Sequence, residues 1–339
     1  MKAVIMAGGE GKRLKAVTGD RPKPMAELLG KPMLEHILTL LRECGFDDIC
    51  MAVKYRYEDI VTYFGSGEGF GVHIRYSIER EPLGTAGAVK ACESFFGDED
   101  FLVISGDAAC DMDLSLLMRE HKKSGAAATV ALHRYPEPLS YGLAVTDGDG
   151  RIHSFIEKPR WSRVVTDLVN TGIYILSPHV MDYVPVGKSF DFGRELFPLL
   201  LEKGEKLLGV DPGGYWCDVG EPLSYYRCCV DALEGKLRIV PSAEFSVRKT
   251  AGNTEITDGT GIDVPCFDRA GLMGALSEGL MDMGADYSDG LTLNGRGYRL
   301  HIAPRSDISA VHVSVSSENA AFAESLTLSA KELIEALKL

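Results

Sequence analysis

Three glycines and a run of basic residues near the start of the chain have the composition of a phosphate-holding loop. Gly8, Gly9 and Gly11 follow Val4-Ile5-Met6-Ala7, an apolar run suited to a buried parallel strand. Glycines at the end of such a strand let the backbone approach a ligand and turn its N–H groups toward phosphate oxygens. Lys12, Arg13, Lys15, Arg21 and Lys23 stand against only Glu10 and Asp20, a local positive patch on a chain of net charge -13. Pro22 and Pro24 restrict the backbone on either side of Lys23, which limits its wandering. Asp107 ends a second, nearly all-apolar run at 101–104. In open α/β sheets ligands collect at the carboxyl ends of strands, so the loops after these two strands are expected to face one crevice.

Spacing narrows the chemistry. The dinucleotide fingerprint needs G-x-G-x-x-G and the P-loop needs G-x4-G-K-[ST]; Gly11-Lys12 is followed by Arg13 and lies too close to Gly8 for either. The order Gly8-Gly9-Glu10-Gly11-Lys12-Arg13-Leu14, then Pro22-Lys23-Pro24-Met25, then Gly30-Lys31-Pro32-Met33-Leu34-Glu35 is similar to the signature of the sugar nucleotidyltransferases. The resemblance continues through Glu81-Pro82-Leu83-Gly84-Thr85-Ala86-Gly87-Ala88, Ser105-Gly106-Asp107, Glu157-Lys158-Pro159, Asn170-Thr171-Gly172 and Trp216-Cys217-Asp218-Val219-Gly220. It covers residues 1 to about 235 and is nearest to mannose-1-phosphate guanylyltransferases, especially those fused to a phosphomannomutase-like region. Departures are few: Lys12 stands where Thr or Ser is usual, and Lys15-Ala16-Val17 replaces the common Arg-Pro-Leu.

The resemblance implies an activity and its parts. A sugar-1-phosphate oxygen attacks the α-phosphorus of a nucleoside triphosphate and displaces pyrophosphate, a task of positioning and charge neutralisation. Arg13 would hold the triphosphate, and Lys23 would bridge the α-phosphate and the incoming phosphate. Ala7, Gly8, Gly9, Gly11, Lys12, Gly84, Thr85 and Gly106 would meet the nucleotide. Tyr141, Gly142, Glu157, Lys158, Asn170 and Thr171 would meet the sugar and its phosphate. Asp107 and Asp218 would hold Mg2+, a hard cation suited to carboxylates and phosphate oxygens. GTP with mannose-1-phosphate is the expected pair. Glucose-1-phosphate with UTP or dTTP is the alternative, and a catalytically silent regulatory subunit would keep the fold but lose Lys23 or Asp107. A homodimer is the expected assembly.

Composition agrees with an enzyme of this kind. At 339 residues, 45% hydrophobic and 25% charged, the chain is long enough for one large domain and a small one. No apolar run reaches the roughly 18 residues of a membrane span and no signal peptide is apparent, so a cytoplasmic protein without membrane contact is expected. Eight scattered cysteines without a C-x-x-C pair argue for reduced thiols rather than a zinc site. An acidic balance without a basic stripe argues against nucleic acid as partner.

The fold class expected is α/β: a Rossmann-like, mostly parallel mixed sheet of the nucleotide-diphospho-sugar transferase type, plus a small α+β C-terminal domain. Strands are expected at 2–7, 49–53, 73–77 and 101–104, with helices at 33–43, 57–64 and 87–95, the last opened by a turn at 84–86. Strands at 128–133, 142–145, 152–157 and 171–176 would build the sugar-side wall, and Asp191-Phe192 and Asp218 would return to the site. Domain limits are expected at 1–235, with a turn-rich linker at 236–262 and a C-terminal domain at 263–339. That domain should run helix 268–283, a hairpin with its turn signal at Asn294-Gly295, strand 310–315 and helix 318–337. The order resembles the last domain of phosphohexomutases, in which the equivalent of Pro304-Arg305-Ser306-Asp307 grips a phosphate, making Arg305 and Ser306 a candidate anion site. Ile308-Ser309 departs from that pattern. The serine-bearing and metal-binding loops of a mutase are missing, Asp111-Met112-Asp113 being only a fragment. The C-terminal domain is therefore expected to be accessory to nucleotidyl transfer and not required for it.

Overall fold

Lys2–Ala7 forms strand β1, and its alternating side chains supply two different cores. Ala3, Ile5 and Ala7 enter one with Leu34, Ile37, Leu38 and Leu41, while Val4 enters the other with Ala86, Val89 and Phe96. A strand buried on both faces needs apolar residues at every position, which is why the run lacks alternation. The computed structural model describes residues 1–136, 138–233, 235–240, 260–266, 268–280, 283–288, 290–295, 298–305, 308–317 and 320–337.

The described chain divides into two units. The first comprises Met1–Glu10, Arg21–Met25 and Met33–Asp218; the second comprises Gly11–Asp20, Ala26–Pro32 and Val219–Leu339.

In the second unit, Glu27–Leu28 (β2) and Lys31–Pro32 (β3) form a short hairpin, with Leu29 at φ 50° and Gly30 at φ 80° in its turn. In the first unit follow β4 (Asp48–Val53), β5 (His73–Ile78), β6 (Phe101–Ser105), β7 (Ala108–Cys110) and β8 (Ala128–Arg134). They continue with β9 (Gly142–Thr146), β10 (Ile152–Glu157), β11 (Leu168–Leu176), β12 (Leu207–Val210) and β13 (Trp216–Asp218). β5, β4, β1 and β6 lie side by side and parallel. β11 joins β6 antiparallel, carries β8 along its other edge and meets β9 through its first residues; β12 runs parallel to β8, and β10 closes antiparallel on β9. This is the expected mixed, mostly parallel sheet. Helices Met33–Glu43, Tyr57–Phe64 and Leu114–Ser124 cover one face, and Gly84–Lys90 and Phe197–Glu202 the other.

Several local expectations need correction. The helix expected at 87–95 begins at Gly84 and breaks between Lys90 and Glu93. It starts early because Ala86 and Gly87 donate their N–H groups to Phe190 O at 2.9 and 3.1 Å, a tertiary contact that stands in for missing helical partners. β11 begins at Leu168, ahead of the residue 171 expected, and β7, β12 and β13 have no counterpart among the expected strands. Runs of three or four residues are too short to show a period of their own.

The rest of the second unit is an antiparallel sheet with helices. β14 (Thr260–Pro265), β15 (Leu291–Gly295), β16 (Tyr298–Pro304) and β17 (Ala310–Ser317) lie in the order β14-β17-β16-β15. Helices Pro222–Leu233, Arg269–Leu280 and Ala320–Leu337 contribute Tyr226, Val230, Leu272, Leu276, Leu326, Leu333 and Ile334 to a core with Leu300, Ile302, Val311, Val313 and Val315. β14 starts inside the stretch expected as linker, while the turn-rich run at 249–259 lies outside the described residues. Asn294 and Gly295 are strand residues paired with Arg299 and Tyr298, not the turn expected of them, and residues 296–297 lie outside the described residues.

Candidate functional site

Lys23 opens a tight helical turn, Lys23–Met25, in which Met25 N donates to Pro22 O at 2.8 Å. With a proline on each side the backbone is held, and the side chain is only 9% exposed. Its ammonium donates to Asp107 Oδ2 at 2.7 Å and to Asp218 Oδ1 at 3.2 Å. Burial alone would lower the Lys23 pKa, but the two carboxylates outweigh it and leave the group above its ordinary value. For Asp107 burial acts to raise the pKa; the Lys23 charge and the bond from Ser105 Oγ, 2.5 Å from Asp107 Oδ1, prevail and hold it below the carboxylate norm. Lys23 and Asp107 are therefore both charged at neutral pH.

Two strands bring the aspartates together. Asp107 sits in the turn between β6 and β7, and β13 pairs antiparallel with β7 so that Asp218 lies opposite Ala108. Gly106 allows the turn to lie against β1: its N–H donates to Met6 O at 2.9 Å, and a Cβ there would stand 3.0 Å from the same oxygen. Gly8 is similarly confined, since a Cβ would come within 3.1 Å of Glu79 Oε1 and 3.4 Å of Lys54 Cβ, whereas Gly9 has open space. Ala7 is buried beneath them. Neither Glu79 nor Lys54 belongs to a motif of the sequence, although Glu79 stands just ahead of the Glu81–Ala88 segment. Burial pushes the Glu79 carboxyl upward.

The oxygens of Asp107 and Asp218 suit a hard divalent cation. Mg2+ commonly takes one or two carboxylates and completes its shell with water and phosphate oxygens. Among the described residues no group of three or more His, Cys, Asp or Glu side chains is assembled to hold a metal, and the two carboxylates are bonded to Lys23.

A second group gathers where β9, β10 and β11 meet. Glu157 pairs with Gly142, and a Cβ on Gly142 would lie 2.8 Å from Glu157 Oε2 and 3.9 Å from Asn170 Cβ. Gly193 approaches the same carboxylate, and Arg194 Nε stands 3.7 Å from Glu157 Oε1. Asn170 Oδ1 accepts from Gly172 N at 3.0 Å within an irregular part of the β11–β8 ladder. Lys158 has φ 41°, a left-handed conformation costly for a side chain with a Cβ, and its N–H donates to Tyr141 O at 3.1 Å. Tyr141 packs edge-on to Tyr135 and Trp216.

Two expected contacts are otherwise engaged. The Thr171 hydroxyl is buried and donates to Ala131 O at 2.8 Å, while its carbonyl accepts from Trp216 Nε1 at 3.1 Å. Thr85 Oγ1 donates to Asp191 Oδ2 at 2.9 Å and accepts from Phe192 N at 3.0 Å, tying the Gly84 turn to residues 190–192. Asp191 in turn caps the following helical turn through Gly193 N and Arg194 N.

In the second unit, Gly11 at φ 68° precedes a helical turn, Lys12–Leu14, on which Lys12 and Arg13 are exposed. Helix Lys15–Thr18 packs against helix Ala320–Leu337. Arg305 Nη1 stands 3.5 Å from Asp263 Oδ2, and Asp263 also bonds His312 Nδ1 at 2.6 Å, so the Arg305 charge already has an internal counter-ion. Arg269 braces that loop by donating to Arg305 O and Ile308 O. Ser306 lies outside the described residues.

A mixed, mostly parallel sheet with a glycine turn after β1 and a lysine held between two aspartates at its carboxyl edge defines an open α/β protein with its polar residues gathered where such folds bind ligands. The chain belongs to the nucleotidyl transferase family, whose model matches residues 2–235. It is 39% identical over 261 residues to a UTP–glucose-1-phosphate uridylyltransferase of Synechocystis sp., covering 73% of this chain and 67% of that one. It is also 39% identical over 230 residues to a mannose-1-phosphate guanyltransferase of Candida albicans, covering 66% of this chain and 62% of the relative. The chain thus spans about two thirds, or slightly less, of the length of these relatives. Among solved structures, HddC from Yersinia pseudotuberculosis complexed with GMP-PN superposes with a TM-score of 0.59 and 30% identity, covering 68% of this chain and 99% of HddC. No helix among the described residues is long and apolar enough to cross a membrane.

Proposed function

We propose that the protein joins a sugar-1-phosphate to a nucleoside triphosphate, forming a nucleoside-diphosphate sugar and pyrophosphate, with GTP and mannose-1-phosphate as the preferred pair. The observation that carries this reading is the placement of Lys23 between Asp107 and Asp218 at the carboxyl edge of the sheet. In the reaction an oxygen of the sugar phosphate forms a bond to the α-phosphorus while the bond from that phosphorus to the bridging oxygen breaks. The electron pair leaves with pyrophosphate. Lys23 neutralises charge between the two phosphates, and Arg13 holds the triphosphate. Gly8, Gly9 and Gly11 admit the polyphosphate close to the backbone. Glu157 and Asn170, facing Gly142, serve the sugar hydroxyls, and Lys158 serves its phosphate. Asp107 and Asp218 would hold Mg2+, which when bound offsets the negative charge that builds on the phosphates.

The guanyltransferase relative and the HddC complex with GMP-PN favour a guanine nucleotide. The Synechocystis relative supports glucose-1-phosphate with UTP as second reading. In the proposed organisation residues 263–339 do no mutase chemistry, and the assembly is a homodimer. Pyrophosphate release measured across a panel of nucleoside triphosphates and sugar-1-phosphates tests the reading. The expected result is Mg2+-dependent turnover highest with GTP and mannose-1-phosphate. No turnover with any pair, with Mg2+ or Mn2+, would leave the silent-subunit reading in its place.

A further inference from the structure

The ladder that brings the two site carboxylates together contains only three residue pairs, and its far end is tied by a side chain outside every motif of the site. Asp111 directly follows β7 and is 8% exposed. Its Oδ1 accepts from Tyr215 N at 2.7 Å, and its own N–H donates to Tyr215 O at 3.1 Å. This reciprocal pair carries the ladder one step past Trp216 and Cys110. Gly214 makes the approach feasible: its φ is 83°, and a Cβ would stand 2.6 Å from Asp111 Oδ1 and 2.9 Å from Asp111 O. At the near end Asp218 lies opposite Ala108, next to Asp107, with Lys23 bonded to both carboxylates.

Isolated two-stranded pairing is marginal even at greater length, and a one-residue slip would turn Asp218 to the opposite face. We propose that Asp111 is a positioning residue of the nucleotidyl-transfer site: by clasping Tyr215 it sets the register of β13 and with it the placing of Asp218 relative to Asp107. The inference rests on the function proposed above. What the clasp requires is an acceptor at Oδ1, which asparagine also offers; leucine does not.

The chain has two tryptophans. Trp161 is 62% exposed, while Trp216 lies in β13, is 5% exposed and donates Nε1–H to Thr171 O at 3.1 Å. In a full-length Trp161→Phe background, tryptophan emission therefore reports β13. Asp111→Leu and Gly214→Ala attack the clasp from opposite strands, and Asp111→Asn preserves the acceptor. Both disrupting variants should shift Trp216 emission to the red while still unfolding cooperatively. Each should lose about tenfold or more in turnover and in affinity for Mn2+ offered with a non-hydrolysable triphosphate, the usual scale for residues that orient a metal's ligands. Their double variant should be little worse than the worse single one, because both break one contact. Asp111→Asn should behave like the unsubstituted protein.

Unchanged emission and turnover in the disrupting variants would overturn the proposal, as would lost turnover with unmoved emission. So would an Asp111→Asn variant as impaired as Asp111→Leu. Should Asp111→Leu fail to fold, Gly214→Ala and Asp111→Asn still decide the matter. An unsubstituted protein without turnover counts against the proposed function alone, since emission and Mn2+ binding continue to test the clasp.

Discussion

Lys23 Nζ lies 2.7 Å from Asp107 Oδ2, although the two residues are separated by 84 positions in the chain. The ammonium closes a three-charge group with Asp218, a further 3.2 Å contact. In the proposed reaction phosphate charge develops beside this group, and removing one member leaves the others unbalanced. Lys23→Ala and Asp107→Ala should each lower turnover on the order of 100-fold or more, the usual cost of deleting a preorganised charge aimed at a transition state. Steady-state pyrophosphate release, with circular dichroism to verify folding, checks this. Near-normal turnover in either variant would place the site elsewhere.

His121 should make stability depend on pH. It is buried, with Nδ1 2.9 Å from Thr129 Oγ1 and Nε2 3.3 Å from Ser177 Oγ. Burial pulls its pKa below the ordinary 6.5, and Asp100 at 3.7 Å only partly restores it. The unfolded chain takes up a proton near pH 6.5 that the folded chain refuses until lower pH, so this contribution is present above 6.5 and lost as pH falls through the folded value. The melting temperature should therefore fall more between about pH 7.5 and pH 5 than it does for His121→Gln. Parallel melting curves for the two proteins over that range would contradict the assignment.

Gly84 has φ 68°, and a Cβ there would stand 2.6 Å from Phe190 O. Gly84→Ala meets both a strained backbone and a backbone collision, so it should destabilise the fold by about 1–3 kcal/mol. Chemical denaturation should show the midpoint falling with an unchanged slope. A variant as stable as the unsubstituted protein would mean that the contact with Phe190 is not held in solution.

Truncation near Gly235 should be damaging, contrary to the dispensable C-terminal domain expected from the motifs. Tyr226 and Val230 are each 1% exposed and belong to the core built by β14–β17. Helix Lys15–Thr18, just after Arg13, packs on helix Ala320–Leu337. A chain ended there should expose both side chains and release the support of the basic loop, with aggregation or a loss of turnover relative to the full chain. A soluble truncated protein with full turnover would show instead that the C-terminal domain is dispensable.

Much of the first unit is legible in residue order alone. Apolar runs at 2–7 and 101–105 and the one-faced helix at 33–43 carry their signals locally, because burial on two faces or on one stripe dictates residue type position by position. Lys23, Asp107 and Asp218 are singled out as candidates by the order of the motifs, and the fold brings their side chains together. Other features belong to no local pattern. The three-residue strands β7 and β13, the early start of the Gly84 helix and the clasp of Asp111 on Tyr215 arise from contacts between segments distant in the chain. The engagement of Thr171 with Ala131 O is likewise invisible in a sequence, since which face of an irregular strand turns inward depends on its neighbours. Residue types and their spacing establish which side chains can carry charge, approach phosphate or cover apolar surface. Which of them meet is a property of the folded chain, because a hydrogen bond between residues 195 positions apart is set by the register of strands and not by any neighbour along the chain.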